Sequence, residues 1–350
     1  MMMLRSKRLV LCAISLAAFC GCHHTNTTAV DPLSPPPYPK PKEVALDPDL
    51  QAAARKQVLA DLGSDDELLR THALETLKDV HIPDANHRVM AALNDRSLLV
   101  RKAAAIAAGE MNVQEAMERL PALLNAEALD NPAESTYGEQ QHIAAIFAMY
   151  KLGDTSHAHD LEKTAMDSRA PVRADTALVL GLMGNTTALD ILDEMRRHDI
   201  DGNVRLQAAE AMWRLGDDRG LTSLVAATIS VYASDQMIAL LALAEPHDTR
   251  VLGNVEGFLT ADYPEVALVA ARAAGMLGSD DGYGVATIGV NSPDPRQRAL
   301  AAMAFGAIGR NDAQPMLAKL LKDREPEVRL AAADALGLLA DKSDTKMAVK

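Results

Sequence analysis

Cysteine is nearly absent from this chain. Its three cysteines, Cys12, Cys20 and Cys22, all fall in the first 22 residues, so the body that follows cannot hold a disulfide even in an oxidising compartment. Aromatic residues are scarce too, with one Trp, six Tyr and four Phe in 350 residues, which leaves few platforms for stacking nucleic-acid bases. Basic residues are outnumbered, 35 Lys and Arg against 48 Asp and Glu, for a formal charge of −13. A surface this acidic repels phosphate backbones and excludes nucleic acid as a partner. The chain also lacks a P-loop, a Gly-x-Ser-x-Gly elbow, a His-Glu-x-x-His pair and a cysteine nucleophile in its body, each of which would carry a specific chemistry. The expectation is a protein without catalytic residues, metal or cofactor. The pair His157 and His159 beside Asp160 has a spacing suited to one face of a strand and fits a helix poorly as a ligand set.

What is present begins with a leader. Residues 1–21 carry a basic start (Arg5, Lys7, Arg8) and an apolar run from Leu9 to Phe19, about eleven residues, where a spanning helix needs roughly twenty. Removing the leader takes away three basic residues and no acid, moving the charge from −13 to −16. Phe19-Cys20-Gly21-Cys22 resembles the lipobox of bacterial lipoproteins, with Gly21 before an acceptor cysteine and Phe19 where leucine is usual. The resemblance implies lipidation of Cys22 and a membrane held through acyl chains, with His23 after it implying the outer membrane, facing the periplasm. Ordinary cleavage nearby would instead release a soluble protein. Residues 22–46 form a linker whose proline-rich centre, Asp31–Lys42, favours polyproline II and could span up to roughly 70 Å.

From Asp47 to position 342 one phrase recurs. Its clearest copies are Asp323–Ala340, Asp167–Gly184, Asp199–Gly216 and Asp95–Asn112. Aligned on the arginine, equivalent positions are Arg70, Arg101, His142, Arg173, Arg205, Met237, Ala267, Arg298 and Arg329, at steps of about 31 residues, a period that marks a solenoid. One longer step holds an insert around Asn125–Gly138. Counting from the arginine, position +3 is nearly always Ala, +6 and +7 are apolar, +8 is often Gly (Gly109, Gly181, Gly275, Gly306, Gly337), and +11 is often Gly (Gly153, Gly184, Gly216, Gly278, Gly309). The spacing predicts one amphipathic helix per unit, ending at the +11 glycine, with the +8 glycine permitting close backbone approach. A shorter helix follows in each unit. Glu245-Pro246 cuts one helix early and predicts a bend. Trp213 and Tyr150 replace the small +8 residue and fill gaps or anchor an interface. Nine units predict a curved rod of about 90 Å at about 10 Å per layer, ending in a polar tail at 343–350.

This phrase resembles the HEAT repeat superfamily, in particular the short HEAT-like repeats of phycobilisome bilin lyases. The resemblance covers about residues 64–340 and implies an all-α, right-handed α-α superhelix of the armadillo type. It implies that Asp95, Arg101, Asp167, Arg173, Asp199, Arg205, Asp323 and Arg329 form a structural ladder between turns, and that the arginine-bearing helix lines the concave face. Positions +1, +5 and +9 of that helix carry Ile106, Ile143, Phe147, Leu178, Leu182, Leu206, Arg272, Met276, Met303 and Leu338. They are read as a mostly apolar groove for a protein or peptide partner, although packing between layers would also use them. The expected function is a membrane-anchored scaffold or adaptor. Alternatives are an enzyme of the bilin lyase or deoxyhypusine hydroxylase type and an envelope structural lipoprotein. The hydroxylase binds iron through His-Glu dipeptides, and this chain has none. If Cys22 is the lipid acceptor, Cys22→Ala moves the protein from the membrane pellet to the soluble fraction; continued detergent-dependent fractionation of the variant refutes the anchor.

Overall fold

A computed structural model describes residues 46–124 and 132–348, the side chains of 341–348 excepted. The leader, Cys22 and the linker up to residue 45 lie outside the described residues, as does the 125–131 part of the insert. Every element described is helical. Helix α1 (Pro48–Leu62) opens on Asp47, whose carboxylate accepts from the Asp49 amide, with Pro48 in the first turn. Nine units follow. They pair α2 (Glu67–Glu75) with α3 (Ala85–Ala92), α4 (Leu98–Glu110) with α5 (Leu120–Leu123), and α6 (Pro132–Lys151) with α7 (Asp160–Thr164). Next come α8 (Ala170–Met183) with α9 (Leu189–His198), α10 (Gly202–Arg214) with α11 (Asp218–Ala227), and α12 (Ala233–Ala244) with α13 (Leu252–Glu256). Last are α14 (Pro264–Met276) with α15 (Tyr283–Gly289), α16 (Pro295–Ile308) with α17 (Gln314–Leu320), and the long α18 (Pro326–Ala348).

The even-numbered helices carry the arginine register and pack side by side as an inner layer; the odd-numbered helices lie outside them. Position +3 is fully buried in all nine units, from Ala73 to Ala332. Small side chains there bring neighbouring helices together, and the +8 glycines bring them closer still. A β-carbon on Gly181 or Gly306 would lie 2.8 Å from Ala211 Cα or Ala335 Cα of the next inner helix, and one on Gly275 would lie 2.6 Å from the Ile308 amide. Where +8 is Trp213, α10 and α12 are held apart. Its indole N–H donates to the Leu243 carbonyl at 3.1 Å, near the end that Pro246 imposes on α12. In eight of the nine units a residue in the left-handed region follows the inner helix. That residue is glycine at Gly153, Gly184, Gly216, Gly278 and Gly309, while His81 and Asn112 adopt φ near +50° at the same +11 position and His247 does so at +10. Ala340 occupies +11 in the ninth unit, and α18 runs on to Ala348. The stretch read as a polar tail is therefore mostly helix.

The expected open rod is instead a closed ring. Helix α1 packs against α18 and α2, as α11 packs against α10 and α12. It is the outer helix that the ninth unit lacks. Gly337, the +8 glycine of that unit, lies against the Asp79–Val80 backbone, the +9 and +10 positions of the first unit, with 2.8 Å from its missing β-carbon to the Val80 amide. Gly275 meets +9 and +10 of its own successor in the same way. The Asp47 amide donates to Gln314 Oε1 at 2.9 Å, which places the start of α1 beside the start of α17.

In open space, Gly→Ala within a helix stabilises by up to about 1 kcal/mol. Gly284→Ala, whose β-carbon meets nothing within 4 Å, follows that rule. Gly337→Ala destabilises by about 1–3 kcal/mol through overpacking and raises the radius of gyration in small-angle scattering. A Gly337→Ala protein as stable and compact as wild type contradicts closure.

Candidate functional site

The arginine ladder is internal. Arg173 donates through Nε and Nη2 to both oxygens of Asp199, at 2.6 and 2.7 Å, and through Nη1 to the Asp167 carbonyl. Arg70 does the same to Asp95, and Arg298 to Asp323. Each fork thus reaches forward to the next unit's aspartate and holds its own loop through the carbonyl six residues back. The three arginines are buried, and these are bidentate, charge-assisted contacts. The guanidiniums of Arg173 and Arg298 hold Asp199 and Asp323 below the usual carboxylate range. The ladder adapts where the register breaks. Arg101 faces the insert and donates to Gln141 Oε1 instead. Asp167, with His142 behind it, pairs with Arg169. Arg205 holds the carbonyls of Asp199 and Ile200, and Arg329 those of Asp323 and Arg324.

The inner surface is not an open apolar groove. Ile106, Ile143 and Phe147 are buried, and Leu178, Leu182, Leu206, Arg272, Met276, Met303 and Leu338 are half-buried. Closure turns the concave face into a lumen whose walls approach each other: Lys102 of α4 pairs with Asp175 of α8 across α6. Charges share this lining. Arg214 bridges Glu210 at 2.9 Å and Glu245 at 3.4 Å. Burial holds Arg272 below its usual range, against the attraction of Asp334, Glu245 and Asp79. Burial lifts Glu245 to about 7, opposed by Arg214, and lifts Asp334 to about 6, opposed by Arg272.

The exposed large apolar side chains lie elsewhere. Every one among the described residues sits at the rim where inner helices begin and outer helices end. Tyr137 projects from the first turns of α6, Met166 and Ile200 from the loops before α8 and α10, and Ile229, Val231 and Tyr232 from the loop before α12. Tyr263 precedes α14, and Ile288 lies in the last turn of α15. Ile200 is 93 % exposed and Val231 86 %. The arc spans units three to seven. In units nine, one and two the same rim carries Asp323-Arg324-Glu325, Ser64-Asp65-Asp66 and Asp95-Arg96-Ser97, with Arg96 paired to Asp65. One rim is thus apolar over one arc and charged over the other. Three of the eight are aromatic, a class that buries about 150–250 Å² per side chain, so the eight together present several hundred Å² along the arc, at or beyond the size of an ordinary surface patch. Sequence reading missed this arc because it weighed positions within the inner helix. The signal lies five residues before the arginine register, where Tyr137, Ile200 and Tyr232 stand in place of Asp65, Arg96 and Arg324.

The outer wall holds a cleft of about 390 Å³ between α7 and α9. Tyr150, Leu161, Leu180, Met183 and Ile191 line it, with Glu162 and Asp190 at its edge and Met166 where it reaches the apolar rim. His157 lies outside this lining, and its ring contacts Asp160 at 3.2 Å.

Residues 285–349 match the family model for HEAT repeats, and the described residues form an all-helical solenoid. No curated protein matches the chain. Among solved structures it is similar to the complex of CpcE and CpcF of phycocyanin lyase from Nostoc, at 20 % identity over 73 % of this chain and 98 % of that one, with a TM-score of 0.42. It is similar to human deoxyhypusine hydroxylase in complex with glycerol at 18 % identity, over 84 % of this chain and 98 % of that one, with a TM-score of 0.36. Kap121p is similar at 16 % identity over 86 % of this chain and 39 % of that one, with a TM-score of 0.35.

The buried lumen carboxylates give the ring a pH signature. A carboxyl whose folded pKa is raised binds its proton more tightly when folded, so stability falls as pH climbs between the unfolded and folded values. For Glu245 that window runs from 4.5 to about 7. Asp199 and Asp323 act oppositely and lose their contribution as pH falls through their depressed values. Urea titrations of Glu245→Gln therefore give a flatter profile across the Glu245 window and a protein more stable than wild type by roughly 1–3 kcal/mol at about pH 8. Parallel profiles for the two proteins contradict the assignment.

Proposed function

We propose that the protein is a lipid-tethered scaffold or adaptor, facing the periplasm from the outer membrane, that binds a protein partner along the apolar arc of its rim. In this reading it is not an enzyme, and it takes neither cofactor nor nucleic acid. The observation that carries the proposal is the gathering of every exposed large apolar side chain of the described residues on one arc. Exposed apolar side chains gathered on one face mark an interaction surface. Orientation supports the reading. Helix α1 begins beside the start of α17 and ends at the loop into α2, so the chain enters the ring at the rim opposite the apolar arc. A tether from Cys22 would hold that opposite rim toward the bilayer and turn the arc away from it, into the space where a soluble or envelope partner moves.

The partner binds the rim and not the lumen, because the lumen positions are already engaged with one another. The test is crosslinking in native envelopes followed by mass spectrometry, comparing wild type with two variants. Ile200→Asp/Tyr232→Asp/Tyr263→Asp alters the apolar arc, and Asp65→Ser/Arg324→Ser alters the charged arc. Partners recovered by wild type disappear with the first variant and persist with the second, while both keep the wild-type circular dichroism and melting profile. Equal recovery from all three proteins refutes the rim as the docking surface.

A further inference from the structure

In the outer wall between units three and four, helix α7 contributes five residues and α9 ten, and a cleft of about 390 Å³ lies between them, a volume in the range of sites that enclose a side chain or small ligand. Its chemistry is one-sided. Leu161, Leu180 and Met183 form an apolar interior, and Tyr150, occupying the +8 place that glycine fills elsewhere, supplies an aromatic wall. The charges at the edge are both negative. Glu162 and Asp190 are exposed, neither forms an ion pair or side-chain hydrogen bond among the described residues, and no lysine or arginine lines the space. Some exposed acids elsewhere, Asp65 and Asp218 among them, have arginine partners.

An apolar slot with an aromatic wall and two unpaired carboxylates at its mouth complements a cation carried on an aliphatic stem. The stem lies along leucine and methionine while its charged end reaches the carboxylates, and a cation over a tyrosine face adds further attraction. Met166, 77 % exposed, belongs to both the cleft and the apolar arc, so the cleft opens directly onto the proposed docking surface. We infer that the cleft takes the lysine or arginine side chain of a partner segment whose neighbouring apolar residues lie along the rim. This rests on the scaffold reading for its occupant, and on the cleft alone for its chemistry.

The test uses the full chain with isotope-labelled methionine methyl groups. The probes are the capped tripeptide Leu-Lys-Leu, the capped tripeptide Leu-Glu-Leu and n-hexylammonium. The lysine peptide shifts the Met166 and Met183 signals saturably, and the glutamate peptide does not. Glu162→Gln/Asp190→Asn weakens the lysine peptide about fivefold to tenfold at low salt, the scale expected for two exposed ion pairs, with circular dichroism unchanged. Equal response to both peptides, or an unchanged affinity in the double variant, overturns the site. Binding of n-hexylammonium as tight as that of the lysine peptide points to a free amine and overturns the peptide assignment. The rim crosslinking can fail while this titration succeeds, and the reverse, so the two readings stand or fall separately.

Discussion

The contact of Gly337 with the Asp79–Val80 backbone is the constraint on which the remaining architecture depends. A solenoid unit touches only its neighbours, so an open array has two terminal faces that must be capped against water. Here the ninth unit presents to the first the same glycine that units two, four, seven and eight present to their successors, and α1 supplies the outer helix that would otherwise be missing. Closure removes both ends at once. It also encloses Arg272, Asp334 and Glu245, and burial shifts their proton affinities. The lumen is charged and crowded because the ring is closed, and the rim is the surface left to meet another molecule.

Much of the fold was legible in the sequence because it is repetitive and local. Alanine at +3 and glycine at +8 act through contact with the adjacent unit, and the residue at +11 acts through its own backbone angle. Even the exceptions obey the same physics: His81 and Asn112 turn the chain at +11 without glycine, and Ala340 fails to turn it, so α18 continues. The ring itself was not legible. Closure depends on small rotations summed over nine units, and no local pattern states that sum. Gly337 was the one hint, since a close-contact glycine in a last unit has nothing to contact unless the array returns on itself.

The interaction surface was legible only in part. Apolar residues at +5 and +9 lie on the inner helices, and their exposure depends on how closely the neighbouring helices pack. Phe147 shows the difference: its ring lies against Gly109 of the neighbouring inner helix and is buried. The rim arc rests on single residues in short loops, Ile200 and Tyr232 among them, where no periodicity distinguishes a docking residue from a turn residue. Only the common position of those loops in three dimensions makes them one surface. The cleft beside Tyr150 depends likewise on how α7 and α9 pack over α6 and α8, which hydrophobic pattern does not record.

The bond from the Asp47 amide to Gln314 spans 267 positions of sequence. Contacts of such long range are slow to form, and a chain delivered amino end first exposes α1 long before α18 exists. Helix α1 meets α2 early, but its contact with α18 waits for the ninth unit. Until that unit arrives, part of the buried face of α1, which carries Ala54 and Val58, stays open to solvent or to a chaperone, and closure of the ring becomes a checkpoint on whether the ninth unit has been made.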